Sequence, residues 1–480
     1  MSKPTEDIKM QPSYPPSGIS ILIVGAGIGG IMTALECYRK GHTVRIIERS
    51  SGPVDTGDFF TVGPSALKIL KHWPSLLATN EEIAYDPWVS YHKHTGECVV
   101  PPAPIEWDTT GGVVPERIYR HHRPRFYKML LDQLTAIGIE VEYNHRVVDY
   151  YETEDGEKGG VKLASGEKLE ADLVVAADGV GTKSHVCVSG KEVRARSTGY
   201  SIFRTAYPVE FAAADPEIDE RFKLLENGKS CFEMWFGHEF HFAIWRAEDI
   251  FSWVWTHKDT GSATESWHDK TPIATVLSLA SKVSPPFPPI IAKIIKSTPE
   301  DGIVDWKLIW RDPQPIWSSP SGRVLQLGDA AHTFLPTSGN GATQAVEDAV
   351  CLATCLLLSS QQKLSIKQAV QIHTKLRFER VSCCQLLGVV NQGTYHNVDW
   401  EKIKENPGLL KAKYGRWIWN HDPEVYAEEN FSKARKWLES GEAYENVSVP
   451  KGYVYKEWNI EQVLKDQEEG RGVELVGDWA

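Results

Sequence analysis

Residues Ile19–Arg49 read ISILIVGAGIGGIMTALECYRKGHTVRIIER, and this stretch decides the fold. Its first part, Ile19–Val24, has the length and branching of a fully buried strand. A G-x-G-x-x-G pattern then opens a segment of helical character, and a second strand, Thr43–Ile47, follows the glycine that ends it. The order strand, glycine turn, helix, strand predicts a βαβ unit at the start of an α/β fold.

The glycines and the acidic residue of this unit have separate expected roles in binding a dinucleotide. Gly25 permits the tight turn, Gly27 lets a pyrophosphate approach the backbone, and Gly30 lets the helix pack closely on the strand. The helix N-terminus offers unpaired N–H groups and the positive end of its dipole to the phosphates. Glu48, 48 − 25 = 23 positions after the first glycine, stands where a carboxylate accepts hydrogen bonds from ribose hydroxyls. The glycines alone would describe any glycine-rich turn, but the whole unit predicts a dinucleotide site.

Length and charge indicate a multidomain globular protein without a nucleic-acid partner. A chain of 480 residues with 41% hydrophobic and 24% charged residues is expected to form two or three domains. The formal net charge of -12 opposes binding along a nucleic acid, which requires a basic surface.

Signals for secretion, membrane insertion and metal binding are absent from the sequence patterns. Residues 1–18 are polar and proline-bearing, so they are interpreted as a disordered lead and not as a signal peptide. The most apolar later run, Ala349–Leu358, is too short to cross a bilayer. The eight cysteines lack C-x-x-C or framework spacing, which predicts free thiols in a reducing, cytoplasmic compartment. Histidine pairs such as His121-His122 have no ligand-type partner at metal spacing, so no metal site is predicted.

The rest of the chain contains two kinds of sheet pattern. A continuous apolar strand, Ala171–Ala177, ends in Asp178-Gly179, and a small antiparallel meander over Val147–Leu169 precedes it. From Tyr200 to about Trp317 the strand-like segments are rich in aromatic residues and predict a second domain built on an antiparallel sheet. Beyond Arg380 the pattern is helical.

A second informative stretch lies at residues 323–348. A buried strand delivers Gly328-Asp329 at its carboxyl end, which is the edge where α/β sheets bind ligands. After a loop, Gly341 leads into a helix, Ala342 to about Leu358, that is apolar nearly all round and therefore predicted to be buried. The free N–H groups and the dipole at its start favour an anion.

Three motifs in this order resemble the single-component FAD-dependent aromatic monooxygenases, the para-hydroxybenzoate and salicylate hydroxylase family. They are the glycine unit with Glu48, then Asp178-Gly179 followed by Ser184, then Gly328-Asp329-Ala330-Ala331-His332 with Pro336, Gly339 and Gly341. The resemblance runs from about Gly18 to Arg380 and is closest in style to fungal natural-product enzymes. It implies a Rossmann-like FAD-binding domain with an inserted β-meander, a second domain with an antiparallel sheet, and a helical C-terminal segment.

The resemblance also implies limits for these domains. The FAD-binding domain is expected to be discontinuous, over residues 19–90, 120–195 and 320–395. The substrate domain is expected over residues 91–119 and 196–319. Residues 396–480 form a C-terminal segment without an assigned role.

The same resemblance assigns roles in cofactor binding. Asp329 is expected to hydrogen-bond the ribitol chain of FAD, and backbone N–H groups near Gly341–Thr343 are expected to face the N1/O2 edge of the flavin. Arg123 is expected to lie along the isoalloxazine and the pyrophosphate, and Asp178 to serve both FAD and NAD(P)H. The full predicted set for FAD is Gly25, Gly27, Gly30, Glu48, Gly57, Arg123, Asp178, Asp329, Gly341, Ala342 and Thr343.

The activity implied by the resemblance is the oxidation of an aromatic small molecule with O₂ and either NADPH or NADH. Reduced FAD adds O₂ to give a C4a-hydroperoxide, which hydroxylates, epoxidises or dearomatises an electron-rich phenol or indole. Such chemistry belongs to natural-product biosynthesis or aromatic catabolism.

Arg204 is the residue predicted to act on the substrate. Alternation along the strand Gly199–Pro208 places it on the same side as apolar Ile202, where a fixed charge needs a polar or anionic partner. A phenolate, a carboxylate or an oxygenated intermediate over the flavin is one such partner; a structural ion pair with a carboxylate of this acidic chain is the alternative. The other predicted substrate contacts are Trp235, Phe236, His238 and Pro336, with core packing as the alternative for the tryptophan.

Three other functions share parts of the pattern. A flavin-dependent halogenase requires a W-x-W-x-I-P segment, and residues 253–258, WVWTHK, lack its Ile-Pro. A flavin reductase or dehydrogenase would act without O₂. A non-catalytic binding protein on the same fold is disfavoured by the intact Gly328-Asp329 and the paired glycines.

Overall fold

A five-stranded parallel sheet carries the first βαβ unit. The computed structural model describes residues 13–479, except 55, 106–117, 267, 411–414, 470, 472 and 474. The strands of this sheet are β1 (Ser20–Val24), β2 (Thr43–Ile47), β7 (Val141–Glu142), β11 (Leu173–Ala176) and β17 (Val324–Gln326). Their order is β17-β11-β1-β2-β7, and every pair is parallel. Because β1, β11 and β17 are neighbours, the three sequence motifs that follow them meet at one edge of the sheet.

Two glycines of the first turn are required by close backbone contacts. Gly25 adopts a φ of +101°, and a Cβ there would lie 2.5 Å from the carbonyl oxygen of Ala177. A Cβ on Gly30 would overlap the carbonyl oxygen of Gly25. Helix α1 (Ile28–Arg39) can therefore pack on β1 only with glycine at both positions.

The chain before β1 is ordered from residue 13, which corrects part of the prediction for residues 1–18. The backbone N–H of Ser13 donates to the carbonyl of Arg39 at 2.8 Å, and the N–H of Ser17 donates to the carbonyl of Gly41 at 2.9 Å. Carbonyl groups at a helix C-terminus have no partner within the helix, and residues 13–18 supply donors to them. The earlier part of the predicted lead, residues 1–12, lies outside the described residues.

Two smaller antiparallel sheets flank the parallel one. The predicted meander is present as β8 (Val147–Glu152), β9 (Gly159–Leu163) and β10 (Lys168–Ala171). Its apolar side chains, such as Tyr150 and Val161, pack with Leu22 and Val174 of the parallel sheet. The other pair is β3 (Phe59–Val62) with β6 (Tyr119–His122).

The aromatic-rich strands form a seven-stranded sheet in the order β16-β12-β15-β14-β13-β4-β5. In this order they are Val304–Trp310, Arg196–Pro208, Ile250–Lys258, Phe240–Arg246, Cys231–Gly237, Trp88–Lys93 and Cys98–Pro104. All neighbouring pairs are antiparallel except β13 with β4, which is parallel, so the sheet predicted to be antiparallel is mixed near one edge. Since β4 begins at Trp88, the predicted domain limit at residue 90 falls inside a strand of this sheet.

The two faces of the large sheet have different neighbours. The outer face, represented by Phe203, Trp235 and Trp255, forms an apolar core with α8 (Ile273–Ala280) and α9 (Pro289–Ser297). We call the opposite face, which carries Ile202, Arg204 and Phe236, the inner face.

The inner face is directed towards the parallel-sheet half of the molecule. The ring of Trp245 lies 4.1 Å, centroid to centroid, from the ring of Phe59 on β3. The ring of Phe236 lies 5.1 Å from that of Tyr395, near the end of α11 (Ile366–His396).

Helices cover the sheets and form most of the C-terminal part. The helices not yet given are α2 (Pro64–Leu67), α3 (Pro74–Ile83), α4 (Arg123–Ala136), α5 (His185–Ser189), α6 (Val209–Ala213), α7 (Pro216–Arg221), α10 (Gly341–Gln361), α12 (Trp400–Glu405), α13 (Arg416–Trp419), α14 (Pro423–Ser440) and α15 (Ile460–Glu468). Among the described residues, α10 is the one helix whose length and composition would allow it to cross a membrane. Most of this helix is buried inside the protein.

The C-terminal segment is anchored to the first βαβ unit by a buried carboxylate. Glu424, in the first turn of α14, accepts hydrogen bonds from Arg39 and Lys40 at 2.5 Å each and contacts the His72 ring at 2.7 Å. Burial raises the pKa of Glu424, but the His72 hydrogen bond and the charges of Lys40 and Arg39 outweigh this and hold the pKa well below its usual range. A carboxylate with a lowered folded-state pKa stabilises the fold above its ordinary pKa of about 4.3 and loses that contribution as the pH falls.

Glu424→Gln is therefore expected to lower the free energy of unfolding by about 3 kcal/mol at pH 7, because it removes the carboxylate that pairs with buried Lys40 and one of the two that pair with Arg39. The difference between variant and wild type should shrink as the pH is lowered from 6 to 3, and urea titrations across that range measure it. Glu439→Gln, on the exposed side of the same helix where Glu439 pairs with Arg435, is the control and should differ little from wild type. A constant difference at all pH values would contradict the assigned role of the Glu424 carboxylate.

Candidate cofactor and substrate site

A cavity of about 520 Å³ lies at the carboxyl ends of β1, β2 and β11. It is lined by the glycine turn, by Glu48 and Ser50, by Arg123, and by the Asp178-Gly179 turn. The structure thus brings the first two sequence motifs to one cavity of the size that binds a nucleotide.

Gly27 leaves the start of α1 open to this cavity. A Cβ placed on it would have no atom within 4 Å, in contrast to Gly25 and Gly30. Its φ of -73° is accessible to any residue, so the backbone itself does not require glycine here. The space in front of the helix N-terminus, with its unpaired N–H groups, is what a pyrophosphate needs.

Glu48 is fixed at the end of β2. Its carboxylate accepts the backbone N–H of Ala26 and the backbone N–H of Ser50, each at 2.9 Å. These bonds hold the side chain at the wall of the cavity, and a carboxylate retains further acceptor sites for ribose hydroxyls.

Asp178 lies at the end of β11, opposite the glycine turn. The Tyr150 hydroxyl donates to its carboxylate at 2.7 Å. Burial raises the pKa of Asp178 above its ordinary value, with the Tyr150 hydrogen bond acting in the other direction. Gly179 follows with a φ of +76°, which lets the chain turn sharply away from the strand.

Arg123 opens α4 and crosses the cavity towards the substrate half. Its guanidinium lies 4.8 Å from the centroid of the Phe60 ring, and a Cβ on Gly57 would approach its Cδ to 2.8 Å, so the glycine makes room for this side chain. Burial lowers the pKa of Arg123, and the nearby positive charge of Arg204 lowers it further. Within the described residues, the buried Nε of Arg123 has no hydrogen-bond partner. A buried N–H donor without a partner is costly, and Arg123 Nε lies beside the cavity at the N-terminus of α1. The oxygen atoms of FAD are suitable acceptors for this donor.

Asp329 lies on the turn after β17, where the residue is exposed to solvent although its carboxyl group has many protein atoms around it. Burial raises the pKa of Asp329, and the charges of His332, Arg123 and Arg311 oppose that shift. Sequence reasoning missed Arg311, which donates to the carbonyls of Val180 and Asp329 and so ties the second motif to the third. No spacing pattern marks Arg311, because it follows β16 in an irregular segment.

The start of α10 is held against the first half of the molecule. Thr343 Oγ1 accepts the backbone N–H of Gly63 at 2.9 Å, so its hydroxyl is engaged within the protein. The first N–H groups of the helix, at Gly341, Ala342 and Thr343, have no partner within the helix and remain the groups suited to an anionic flavin edge.

A buried charge network positions the third motif. Asp348 accepts the Gly328 N–H at 3.2 Å, contacts the His332 ring at 2.5 Å and accepts Arg377 Nε at 2.8 Å. Arg377 and Arg380 both bond to Glu347, at 2.6 and 2.8 Å. These side chains are essentially inaccessible to solvent, so the turn that presents Asp329 is fixed to α10 and α11 by fully buried ion pairs.

Arg204 points from the inner face towards the cofactor cleft and pairs with Asp58. Its Nε and Nη2 donate to the two carboxylate oxygens of Asp58 at 2.9 and 2.6 Å. The structure therefore contains the ion pair that the sequence left as the alternative to a substrate anion. The catalytic role assigned to Arg204 stays a prediction.

The other predicted substrate contacts separate in space. Phe236 lies on the inner face, whereas Trp235 lies on the outer face with its Nε1 donating to Glu233, so these two neighbours cannot line one cavity. The prediction that Trp235 faces the substrate is corrected to core packing. His238 lies in the β13–β14 turn with its side chain 82% exposed, outside the interface between inner face and cleft. Pro336 is exposed in a short helical turn before α10.

Asp329→Ala is expected to weaken FAD binding without unfolding the protein. The loss of one hydrogen bond to a charged group costs about 1.5–3 kcal/mol, or roughly 10- to 150-fold in Kd. Titration of the apoprotein with FAD, followed by flavin fluorescence, measures this change. Asp312→Ala is the control, since Asp312 caps the start of α15 by accepting the Ile460 N–H and has no expected role towards FAD. An unchanged Kd in Asp329→Ala would remove Asp329 from the cofactor site.

Comparison with known proteins identifies the family. The sequence profile described as FAD binding domain matches residues 19–363. The FAD-dependent monooxygenase fsr3 of Gibberella fujikuroi is 42% identical over 475 residues, covering 97% of this chain and 90% of the relative.

Two solved structures are similar over most of their length. The crystal structure of FqzB superposes with a TM-score of 0.79 at 27% identity, covering 92% of this chain and 99% of FqzB. The crystal structure of CtdE in complex with FAD and a substrate superposes with a TM-score of 0.77 at 28% identity, covering 88% of this chain and 99% of CtdE.

Proposed function

The chain belongs to the FAD-binding family of FAD-dependent monooxygenases, and from this premise we propose that it uses NAD(P)H and O₂ to oxidise an electron-rich aromatic small molecule. The class of substrate is a phenol or an indole, and the outcome is hydroxylation, epoxidation or dearomatisation in natural-product biosynthesis or aromatic catabolism. For hydroxylation the balance is ArH + O₂ + NAD(P)H + H⁺ giving ArOH + NAD(P)⁺ + H₂O. The eight free cysteines support a reducing, cytoplasmic location.

The observation that carries this proposal is the junction between the cofactor cleft and the inner face. Arg123 lines the cleft, its N–H donates to the carbonyl of Asp58 at 2.9 Å, and the side chain of Asp58 binds Arg204 of the inner face. The flavin end of a cofactor running from Gly27 past Arg123 would therefore meet the aromatic-rich sheet. CtdE, whose crystal structure holds FAD and a substrate together on a similar fold, supports the proposal that such a fold binds a substrate along with FAD.

The chain's own residues supply binding, orientation and exclusion of water. FAD, when bound, supplies hydride acceptance and oxygen transfer. The N-terminus of α1 and Arg123 would hold its anionic phosphates, and the N-terminus of α10 would stabilise negative charge on the flavin edge. The apolar inner face, with Ile202 and Phe236 buried, keeps water from the reacting ring.

The experiment measures NAD(P)H oxidation and O₂ uptake by the purified protein with a panel of phenols and indoles. We expect a yellow protein, slow NAD(P)H oxidation without an aromatic, and stimulation of both rates together by members of the panel. NAD(P)H oxidation without O₂ uptake would indicate a reductase and contradict the proposal. So would equal rates with and without every aromatic tested.

A further inference from the structure

The ion pair between Asp58 and Arg204 joins the two halves of the site. Asp58 lies just before β3, on the cofactor side, and Arg204 lies on β12 of the large sheet. Both carboxylate oxygens are engaged, at 2.6 and 2.9 Å, and the side chains are only 3% and 13% exposed. A bidentate, largely buried pair of this kind is geometrically specific and costly to separate.

The neighbours of Arg204 on the adjoining strands of the inner face are apolar. Its cross-strand neighbours are Val254 on β15 and Val304 on β16, and Ile202 precedes it on the same face. Arg123 is a second cation close to Arg204, and its side chain lines the cofactor cavity. On the substrate side, the positive charge of Arg204 is thus matched by Asp58 at contact distance.

We propose that Asp58 is a specificity-determining residue that neutralises Arg204, so that the site takes uncharged aromatic substrates, phenols or indoles, and rejects aromatic carboxylates. An incoming carboxylate would either lie beside the negative charge of Asp58 or displace it. Displacement leaves a buried carboxylate without its partner, which opposes binding strongly. A neutral phenol or indole avoids this penalty and can still accept a hydrogen bond from the paired guanidinium or pack on the apolar neighbours. This inference rests on the proposed function, because it assumes that the substrate lies against the inner face.

The test compares two probes of the same shape, 1-hydroxy-2-naphthamide and 1-hydroxy-2-naphthoate. The FAD-loaded enzyme is titrated with each, and the Kd is read from the change in flavin absorbance. Wild type is expected to bind the amide at least about tenfold more tightly than the carboxylate. Asp58→Asn, which removes the negative charge that faces Arg204 while keeping the side-chain shape, is expected to move this ratio at least about tenfold towards the carboxylate. In the double variant Asp58→Asn/Arg204→Gln, the affinity ratio should no longer be shifted towards the carboxylate, because the positive charge is also removed.

A matched pair on the other face of the same sheet provides the control. Arg221 binds Glu233 bidentately at 2.7 and 2.9 Å, and Glu233 is buried away from the cleft. Glu233→Gln in FAD-loaded form should leave the ratio of the two affinities unchanged.

The ratio of the two Kd values in wild type, for the amide and for the carboxylate, tests the proposal even when Asp58→Asn does not fold. Wild type that binds the carboxylate as tightly as the amide, or binds neither measurably, overturns the proposal; so does an unshifted ratio in FAD-loaded Asp58→Asn. Phenol-stimulated O₂ uptake in the same preparation would then show that the proposed function stands while the assignment of Asp58 fails.

Discussion

Gly27→Val is expected to give a folded, colourless protein. A Cβ at this position meets no protein atom within 4 Å and the backbone torsion tolerates it, so we expect the fold itself not to be strained. It does fill the space in front of the α1 N-terminus. Forcing bulk into a packed site costs about 1–3 kcal/mol and each lost hydrogen bond to a charged phosphate about 1.5–3 kcal/mol, so FAD binding should weaken by at least about 100-fold.

Flavin content of the purified variant, with circular dichroism and thermal unfolding as checks of the fold, measures this effect. Gly52→Val is the matched control, because a Cβ at Gly52 also has nothing within 4 Å and Gly52 does not line the cavity. That variant should remain yellow. Full flavin content in Gly27→Val would mean that the phosphates lie elsewhere.

The second large effect is expected from Asp348→Ala. This change removes the buried carboxylate that accepts Arg377 Nε, contacts the His332 ring and accepts the Gly328 N–H, while Arg377 keeps its bond to Glu347. Breaking a buried ion pair by removing one partner costs about 3–5 kcal/mol. Because the same carboxylate fixes the turn that carries Asp329, FAD binding should weaken along with stability.

Urea unfolding and FAD titration of the same preparation measure both quantities. Asp132→Ala is the control, since Asp132 forms an exposed pair with Lys128 on the surface of α4 and both quantities should stay near wild type. Asp348→Ala with wild-type stability would show that the buried network does not hold the third motif in place.

The parallel sheet and the cofactor cleft follow from local sequence signals. Gly30 is required by its contact with the backbone of Gly25, and Gly25 by its contact with the end of the neighbouring strand at Ala177. A short motif is therefore enough to predict both glycines and the turn that they form. The buried strands ending in Asp178 and Asp329 are continuous apolar runs, which are typical of a parallel sheet. The family and the FAD-dependent monooxygenase activity predicted from these motifs are confirmed.

The substrate half was harder to predict because its decisive contacts join distant segments. Alternation places Arg204 on one side of β12, but nothing local indicates that Asp58, 204 − 58 = 146 positions earlier, binds it. Trp235 and Phe236 are both aromatic, and only the register of β13 with its neighbours shows which of them faces the cleft. The predicted domain limits and the substrate-contact roles of Phe236 and Pro336 stay predictions.

The C-terminal segment illustrates the same limit. Its sequence carries no motif, yet Trp419 packs so closely on Gly63 that any Cβ there would overlap the indole ring. Gly63 in turn donates to Thr343 at the start of α10. Contact of the segment with the cofactor half is therefore a tertiary property that composition and periodicity do not reveal.

Isotope labelling tests the assignment of a monooxygenase to this cleft most directly. The FAD-loaded protein is supplied with NAD(P)H, ¹⁸O₂ and the phenol or indole that most stimulates O₂ uptake. We predict one ¹⁸O atom in the aromatic product for each NAD(P)H oxidised in a fully coupled turnover. Product oxygen derived from water, or NAD(P)H oxidation that yields only labelled hydrogen peroxide with every aromatic tested, would contradict it.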